Sequence, residues 1–461
     1  MKKFLSLVLS LTMMLSLVTV NSSAKEFTDN EDVTYQEAIA VISEIGVVNG
    51  YEDGSFKPQN GLTRGAAAKI ICNLILGPTT ASELHADARP FRDVAADSEF
   101  AGYIAYCAQQ GIISGYADGT FRAGNPLTGY AFLKMLLGAL GYDGANEGYT
   151  GANWSINVAK QAIGIGLNEG LTGEFNGVDH VTREEAALYA FNTLKSTMVD
   201  YDQKITTTIN GVEVVISQGT AKPVDWSEGR NEDGNIKDDG FVQFAEEYFP
   251  GLVRNDDHDD FMRPANTWLY DKSEIGTYAR TELLVESYTT EVTGREAYDL
   301  LKAGVIASNK IESYLDGRES TIKESDLVRS NNKKLAGTGN GVVTEVYLDT
   351  DQDIITFVSV NTYLAKASSD YSESREYAAL NVYVSDSTGR NYNVDVEQVP
   401  AVADVTADTF YQVNISYKND NTNGEVLVLR NVEVLEDSTV TKYSADNSGD
   451  GTDKVNKLTV G

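Results

Sequence analysis

A glycine-rich turn is written twice in this chain, and the residues around it repeat as well. GYEDGSFKPQNGLTRG runs from Gly50 to Gly65, and GYADGTFRAGNPLTGY runs from Gly115 to Tyr130. Longer frames enclose both. The first passes from FTD (Phe27–Asp29) through AIAVISEIGVVNGYEDGSF to LTRGAAAKIICNLILG. The second passes from FRDV (Phe91–Val94) through YIAYCAQQGIISGYADGTF to LTGYAFLKMLLGALGY. A looser third copy reads NWSINVAKQAIGIGLNEGLTGEF, then VTREEAALYAFNTLK. Shared order and period mark an array of similar units between about Lys25 and Asp200.

Each unit reads as helix, glycine turn, short loop, helix. Ala38, Ile39, Ile42 and Ile45 recur at helical spacing, and Gly46 or Gly50 can end that helix. Asp53-Gly54 and Asp118-Gly119 suit tight turns, because glycine enters positive φ without steric cost. The flanking Tyr51/Phe56 and Tyr116/Phe121 are expected to fold back and pin each turn to the core. Thr63, Thr128 and Thr182 stand as N-caps of the second helices, and only Thr182 with Glu185 completes a capping box. Those helices carry apolar stripes: Ile70, Ile71, Leu74 and Ile75 in one, Phe132, Leu133, Leu136 and Leu140 in the next. No such helix buries its stripe alone, whereas three stacked together form one shared core.

The frame F-x-D-V … GI-x-GY-x-DGTF … LTR resembles the S-layer homology domain, whose usual arrangement is three copies. The resemblance covers residues 25–82, 83–145 and 146–200, the third copy matching only partly. It implies a pseudo-three-fold helical bundle with ligand grooves between neighbouring units. It also implies non-covalent attachment to secondary cell-wall polysaccharide of Gram-positive-type envelopes, often through a pyruvylated amino sugar. The arginine of the family's Thr-Arg-Ala-Glu motif faces such a groove, and two parallel guanidinium donors match a ketal carboxylate.

Carried onto this sequence, Thr63-Arg64 and Thr182-Arg183 match that motif, while Gly129 stands where the second copy would have its arginine. Ala66 replaces the motif glutamate in copy one, and Glu185 keeps it in copy three. Trp154 corresponds to the family's early tryptophan, with Phe100 in that place in copy two; Asp29 and Asp93 match its early aspartate. The resemblance thus implies Arg64, Arg183, Thr63, Thr182, Asp29, Asp93 and Trp154 as glycan contacts, with one or two grooves keeping a cation. From spacing alone, the arginines read as solvated surface, the aspartates as helix caps and Trp154 as core.

Composition narrows the partners. The chain has 461 residues, enough for two to four domains. Against 37 Lys+Arg stand 68 Asp+Glu, a net charge of −31. Such a surface repels nucleic acid and anionic membranes, so an anionic ligand must be held by local cations. MKKFLSLVLSLTMMLSLVTVNSSA has a basic start, an apolar run and small residues at Ser22 and Ala24. It reads as an export signal over residues 1–24, removed after Ala24, so the mature chain is secreted to the cell wall or surface with no membrane partner. Cys72 and Cys107 each sit in an apolar helical pattern and read as buried thiols.

Past Asp200 the texture becomes alternating and rich in Val, Ile, Thr and Tyr, which predicts one or more β-rich surface modules over 201–461, sandwich-like in the simplest case. One helix is expected near Gly294–Gly304, and residues 226–262 read as a long acidic loop. There is no G-x-S-x-G, H-E-x-x-H or G-x-x-x-x-G-K-[ST], and only three histidines (His85, His180, His258). No cofactor is indicated. The clusters Asp349/Asp351/Asp353 and Asp446/Asp450/Asp453 raise structural calcium, but neither fits a helix-loop-helix site and solvated turns explain both. The preferred expectation is a non-enzymatic envelope protein anchored to wall polysaccharide, with self-association in a surface layer left open. A wall-anchored carbohydrate hydrolase and an adhesin are the rivals.

Overall fold

The computed structural model describes residues 27–202, 205–209, 212–217, 219–228, 234–339, 341–385, 388–432, 440–444 and 457–460. The export signal and the Asp446/Asp450/Asp453 cluster lie outside the described residues. The chain divides into two compact units. One holds the described residues 27–259 with 263–284; the other holds 260–262 and those from 285 onward.

In the first unit the repeats alternate as expected: α1 (Gln36–Glu44), α2 (Arg64–Leu76), α3 (Ala101–Gln109), α4 (Gly129–Ala139), α5 (Trp154–Gly164) and α6 (Arg183–Lys195). Gly46 ends the first helix at φ 75°, and Gly54 and Gly119 take φ 80° and 79° in the two Asp-Gly turns. Ile39, Ile42, Ile71, Leu74, Cys72, Cys107, Phe132 and Leu136 lie in one continuous core with Ala186, Ala190 and Leu194 of α6. The two thiols are free, with sulfurs 3.5 Å apart.

Backbone hydrogen bonds close the loops before three second helices into a cycle, the third lying in residues 146–200. Leu62 N–H donates to the Val181 carbonyl (2.9 Å), Leu127 N–H to Leu62 (2.9 Å) and Val181 N–H to Leu127 (3.0 Å). The open amides at each second-helix start are satisfied the same way, by the loop of another copy. Arg64 and Gly65 donate to Asn125 and Ala123, Gly129 and Tyr130 to Asp179 and Gly177, and Arg183 and Glu184 to Asn60 and Pro58. Each copy thus caps one neighbour and is capped by the other.

This unit does not stop at residue 200. A meander of β1 (Leu252–His258), β2 (Pro264–Tyr270) and β3 (Ser273–Ala279) belongs to it. Trp268 is fully buried against Phe191 of α6, ring centroids 5.2 Å apart. Its indole N–H donates to Glu37 Oε1 of α1 (2.7 Å), and Asn266 Nδ2 donates to the same oxygen (3.1 Å). Desolvation raises the Glu37 carboxyl above its usual range, against the pull of Lys195. The long loop expected over 226–262 is therefore corrected: apolar residues set within the acidic text (Val242, Phe244, Phe249, Leu252) are buried. Phe244–Tyr248 forms a short helix capped by Gln243 and Glu246, followed by β1.

In the second unit β4 (Leu284–Tyr288), β5 (Lys310–Leu315), β6 (Arg318–Glu319), β7 (Val342–Asp349) and β8 (Ile354–Asn361) form one sheet in the order β6-β5-β8-β7-β4. Its β5 and β8 run parallel. The connection between those two strands passes through β7 and its hairpin. The helix Gly294–Leu301, started by a Thr293/Glu296 capping box, contributes to this sheet's core with Val346, Ile355 and Phe357. A second sheet runs β11-β10-β9-β12-β13, from β9 (Tyr363–Ala367), β10 (Tyr377–Ser385), β11 (Thr388–Asp395), β12 (Phe410–Ser416) and β13 (Glu425–Asn431). Its core is separate and centres on Leu380, Val382, Val402, Val413 and Ile415. The two sheets do not share one core, so the sandwich expectation gives way to two small β layers.

The cycle makes a kinetic statement about exchange. Amides near Leu62, Leu127 and Val181 should gain and lose protection together in hydrogen exchange followed by mass spectrometry. Independent exchange at the three loops would contradict a closed ring.

Candidate functional site

Each second helix begins where two copies meet, and the first helical residue projects along that seam. In two of three seams it is an arginine. Thr63 and Thr182 fix those starts, their hydroxyls accepting from the amides of Ala66 (3.3 Å) and Glu185 (3.2 Å). Thr182 and Glu185 form the expected capping box, whereas Thr128 makes no side-chain cap. Both threonine hydroxyls implied as glycan contacts thus serve their own helices.

The two arginines are held alike. Arg64 Nε donates to the Phe121 carbonyl (2.8 Å) and Nη2 to Ser114 (3.2 Å), both in copy two. Arg183 Nε donates to Phe56 (2.9 Å) and Nη2 to Asn49 (3.1 Å), both in copy one. The Arg64 guanidinium carbon lies 4.4 Å from the Phe121 ring centroid and 5.1 Å from Tyr116. That of Arg183 lies 4.9 Å from Phe56 and 4.7 Å from Tyr51. Two of five N–H donors in each fork meet carbonyls, which sets its plane and leaves three for a ligand. Burial pulls both groups below the ordinary arginine value, and neither makes an ion pair among the described residues.

The tyrosines do not fold onto the core as expected. Phe56 and Phe121 are buried (0% and 1% exposed), but Tyr51 and Tyr116 are each 42% exposed. The alternation sends the phenylalanine inward and the tyrosine to the seam, where its face meets a guanidinium.

Asp29 and Asp93 are placed differently from either expectation. Neither serves as a side-chain helix cap: Asp29 precedes the short 3₁₀ turn Asn30–Asp32 without capping it. Instead each carboxylate reaches across its unit to grip the loop after the glycine turn. Asp29 accepts from the amides of Phe56 and Lys57 (both 2.7 Å), and Asp93 from Phe121 and Arg122 (both 2.7 Å). They hold the carbonyls that in turn hold the arginines, so they position the site from behind.

A cavity of roughly 380 Å³ opens at the Arg64 seam. Its walls bring together Arg64, Trp154, Lys134, Tyr149, Ser114 and Met135, with apolar residues behind. Trp154 is half-buried at the start of α5, and the Lys134 ammonium lies 5.7 Å from its ring. Desolvation lowers Lys134 below its ordinary value. Sequence reasoning missed Lys134 and Tyr149. A signal existed for the first: Lys134 follows Thr128 by the same interval as Lys69 follows Thr63.

The third seam is filled. Tyr130 packs edge-on to Phe175 (5.7 Å), which meets Tyr189 (6.3 Å). A Cβ at Gly129 would lie 3.2 Å from the Gly177 Cα, so the residue that replaced arginine sits where copy three comes close. Among the described residues, no group of three His, Cys, Asp or Glu could hold a metal ion. Asp349 instead accepts from the amides of Asp351 and Gln352 within its own turn.

The S-layer homology domain model matches residues 26–68 and 90–129, the first two copies. A cell surface protein of Thermoanaerobacter kivui is 26% identical over 204 residues, 44% of this chain and 26% of that protein. A surface-layer 125 kDa protein of Lysinibacillus sphaericus is 25% identical over 242 residues, 48% of this chain and 20% of it. A cellulosome-anchoring protein of Acetivibrio thermocellus is 37% identical over 89 residues, 19% and 20% of the two chains. An uncharacterized cell wall amidase of Bacillus anthracis also matches, at 26% over 179 residues. The chain spans about a quarter or less of the first three relatives. These likenesses support a cell-surface protein, and among the described residues no helix is long and apolar enough to cross a membrane.

The gripping carboxylates give a pH signature. Asp118 is lowered to about 2 by the Thr120 hydroxyl and amide and by Arg122, and Asp53 is held low chiefly by Lys57 and Ser55. Asp93 is lowered by the Phe121 amide, against desolvation; at Asp29 desolvation opposes, and the amides of Phe56 and Lys57 prevail. Folded values below unfolded ones mean stability that is whole above about pH 4 and lost as pH falls through the folded values. The melting midpoint should therefore drop between about pH 4 and 2, and Asp93→Asn should flatten that drop while lowering the midpoint at pH 7. A midpoint that rises with acid in this window would contradict the assignment.

Proposed function

We propose that the first unit anchors this chain non-covalently to an anionic secondary cell-wall polysaccharide, with the two arginine seams as the glycan grooves. The third copy, residues 146–200, completes a pseudo-three-fold bundle in this reading. One observation carries it: two guanidinium groups, fixed by backbone carbonyls beside exposed tyrosine faces, make no ion pair among the described residues in a chain of net charge −31, Asp93 and Asp29 acting on them only at longer range. Surface cations on such a chain ordinarily find carboxylates. A pair that makes no direct ion pair, each in an equivalent seam, suits a carboxylate that arrives with the ligand.

The sugar acid fits the remaining parts. A ketal carboxylate would take the free donors of the fork, and Tyr51, Tyr116 or Trp154 would lie against a sugar face. Pyruvylation of an amino sugar supplies such a carboxylate without altering the ring. The second unit is read as an outward, non-catalytic surface module. The matched relatives, mostly surface and surface-layer proteins, support this assignment.

The test is sedimentation of the exported chain with purified cell walls, with and without pyruvyl groups. Removing those groups should abolish binding. Changing both Arg64 and Arg183 to alanine should weaken it by about 1.5–3 kcal/mol per groove, the scale of a charged hydrogen bond. Arg→Lys at both positions separates charge from geometry, and should recover only part of the binding. Unchanged sedimentation of the alanine variant would refute the groove assignment.

A further inference from the structure

The two arginine seams share their first cation but differ in their second. Lys134 on α4 lines the Arg64 cavity in copy two, the copy whose carbonyls hold Arg64. It makes no ion pair among the described residues, and the ring it faces is Trp154. The repeat register puts Lys69 of α2 in the matching position of copy one, the copy whose carbonyls hold Arg183. Lys69 faces a ring too, that of Tyr103 at 5.7 Å. It also meets an acid: its ammonium lies 3.7 Å from Glu99 Oε1. Phe100, where copy three has Trp154, packs over Gly65, its ring 2.8 Å from a Cβ built there.

We infer that the seams are unequal anion sites: the Arg64 seam is dicationic, with Lys134 as its second ligand cation, whereas Lys69 in the Arg183 seam is answered by Glu99. The inference rests on the groove reading above and assigns the tighter, more charge-selective groove within it. A single carboxylate at the Arg64 seam is shared by a planar fork and a compact ammonium, in a cavity whose apolar walls lessen screening. At the Arg183 seam the ligand meets one uncompensated cation, and a carboxylate 70% exposed in its own right stands close by to repel it. Trp154 adds the larger aromatic face on the dicationic side.

Calorimetry on the full exported chain separates the seams, using the methyl glycoside of a pyruvylated N-acetylamino sugar and its methyl ester as probes. In an Arg183→Ala background only the Arg64 seam is read. There Lys134→Gln should weaken binding of the acid by about tenfold or more, and Lys134→Arg should restore most of it. The ester should bind weakly and feel Lys134→Gln little. In an Arg64→Ala background, Lys69→Gln should change affinity less than twofold. In that background Glu99→Gln should strengthen binding by about two- to fivefold, the scale of an exposed pair. Equal losses from Lys69→Gln and Lys134→Gln, or a loss under twofold at Lys134, would overturn the inequality. If the double arginine variant loses wall binding while Lys134→Gln is silent, the grooves stand and only this inference fails; if the double variant still binds walls, both fall.

Discussion

Three backbone amides, at Leu62, Leu127 and Val181, each find their carbonyl in another copy of the repeat, and the rest of the first unit is arranged around that exchange. A helix start leaves amides open. Here the loop before the next second helix fills them, so no copy is capped by its own residues alone. This closes the array on itself instead of letting it extend as a solenoid, and it brings the first residue of each second helix to a boundary between copies. The placement of the two arginines follows from a hydrogen-bonding need that exists without any ligand.

That origin explains why two seams are cationic and one is not. Where the first helical residue is arginine, its fork satisfies two carbonyls of the loop beside the exposed tyrosine. Where it is Gly129, the neighbouring loop comes close at Gly177, and Tyr130 and Phe175 occupy the room. The carboxylates that brace the seams, Asp29 and Asp93, face amides and not the guanidinium groups. Their grip on two successive amides also explains why both carboxyls lie below the ordinary aspartate value.

Much of the first unit was legible because its signals are local. Helical spacing, the Asp-Gly turns, the Thr182/Glu185 box and the glycine at Gly129 in place of an arginine all lie within a few residues of what they decide. The errors came from distance in the chain. Nothing near Asp29 announces Phe56 and Lys57 as its partners, so it reads as a cap. Nothing near Lys134 announces Trp154. Residues 226–262 read as an acidic loop because their charges mask the few apolar residues that are buried, Val242, Phe244, Phe249 and Leu252; nothing near Trp268 announces its acceptor Glu37 in the first copy. The pairing of Ile354–Asn361 with Lys310–Leu315 is likewise invisible locally: a parallel partner across an intervening hairpin leaves no turn signature. Strand identity past Asp200 was readable from alternation; which strands share a layer was not.

The closed ring also has a bearing on how such a chain comes out of a cell. A polypeptide that emerges from its amino end presents Leu62 long before the carbonyl of Val181. Until copy three is outside, the earlier copies have apolar stripes and open helix starts with nothing to close them, and non-local closure of this kind is slow. The half-emerged chain is thus a thread and not yet a closed body: it can travel through a narrow passage, and its ring can shut only after Val181 has cleared it.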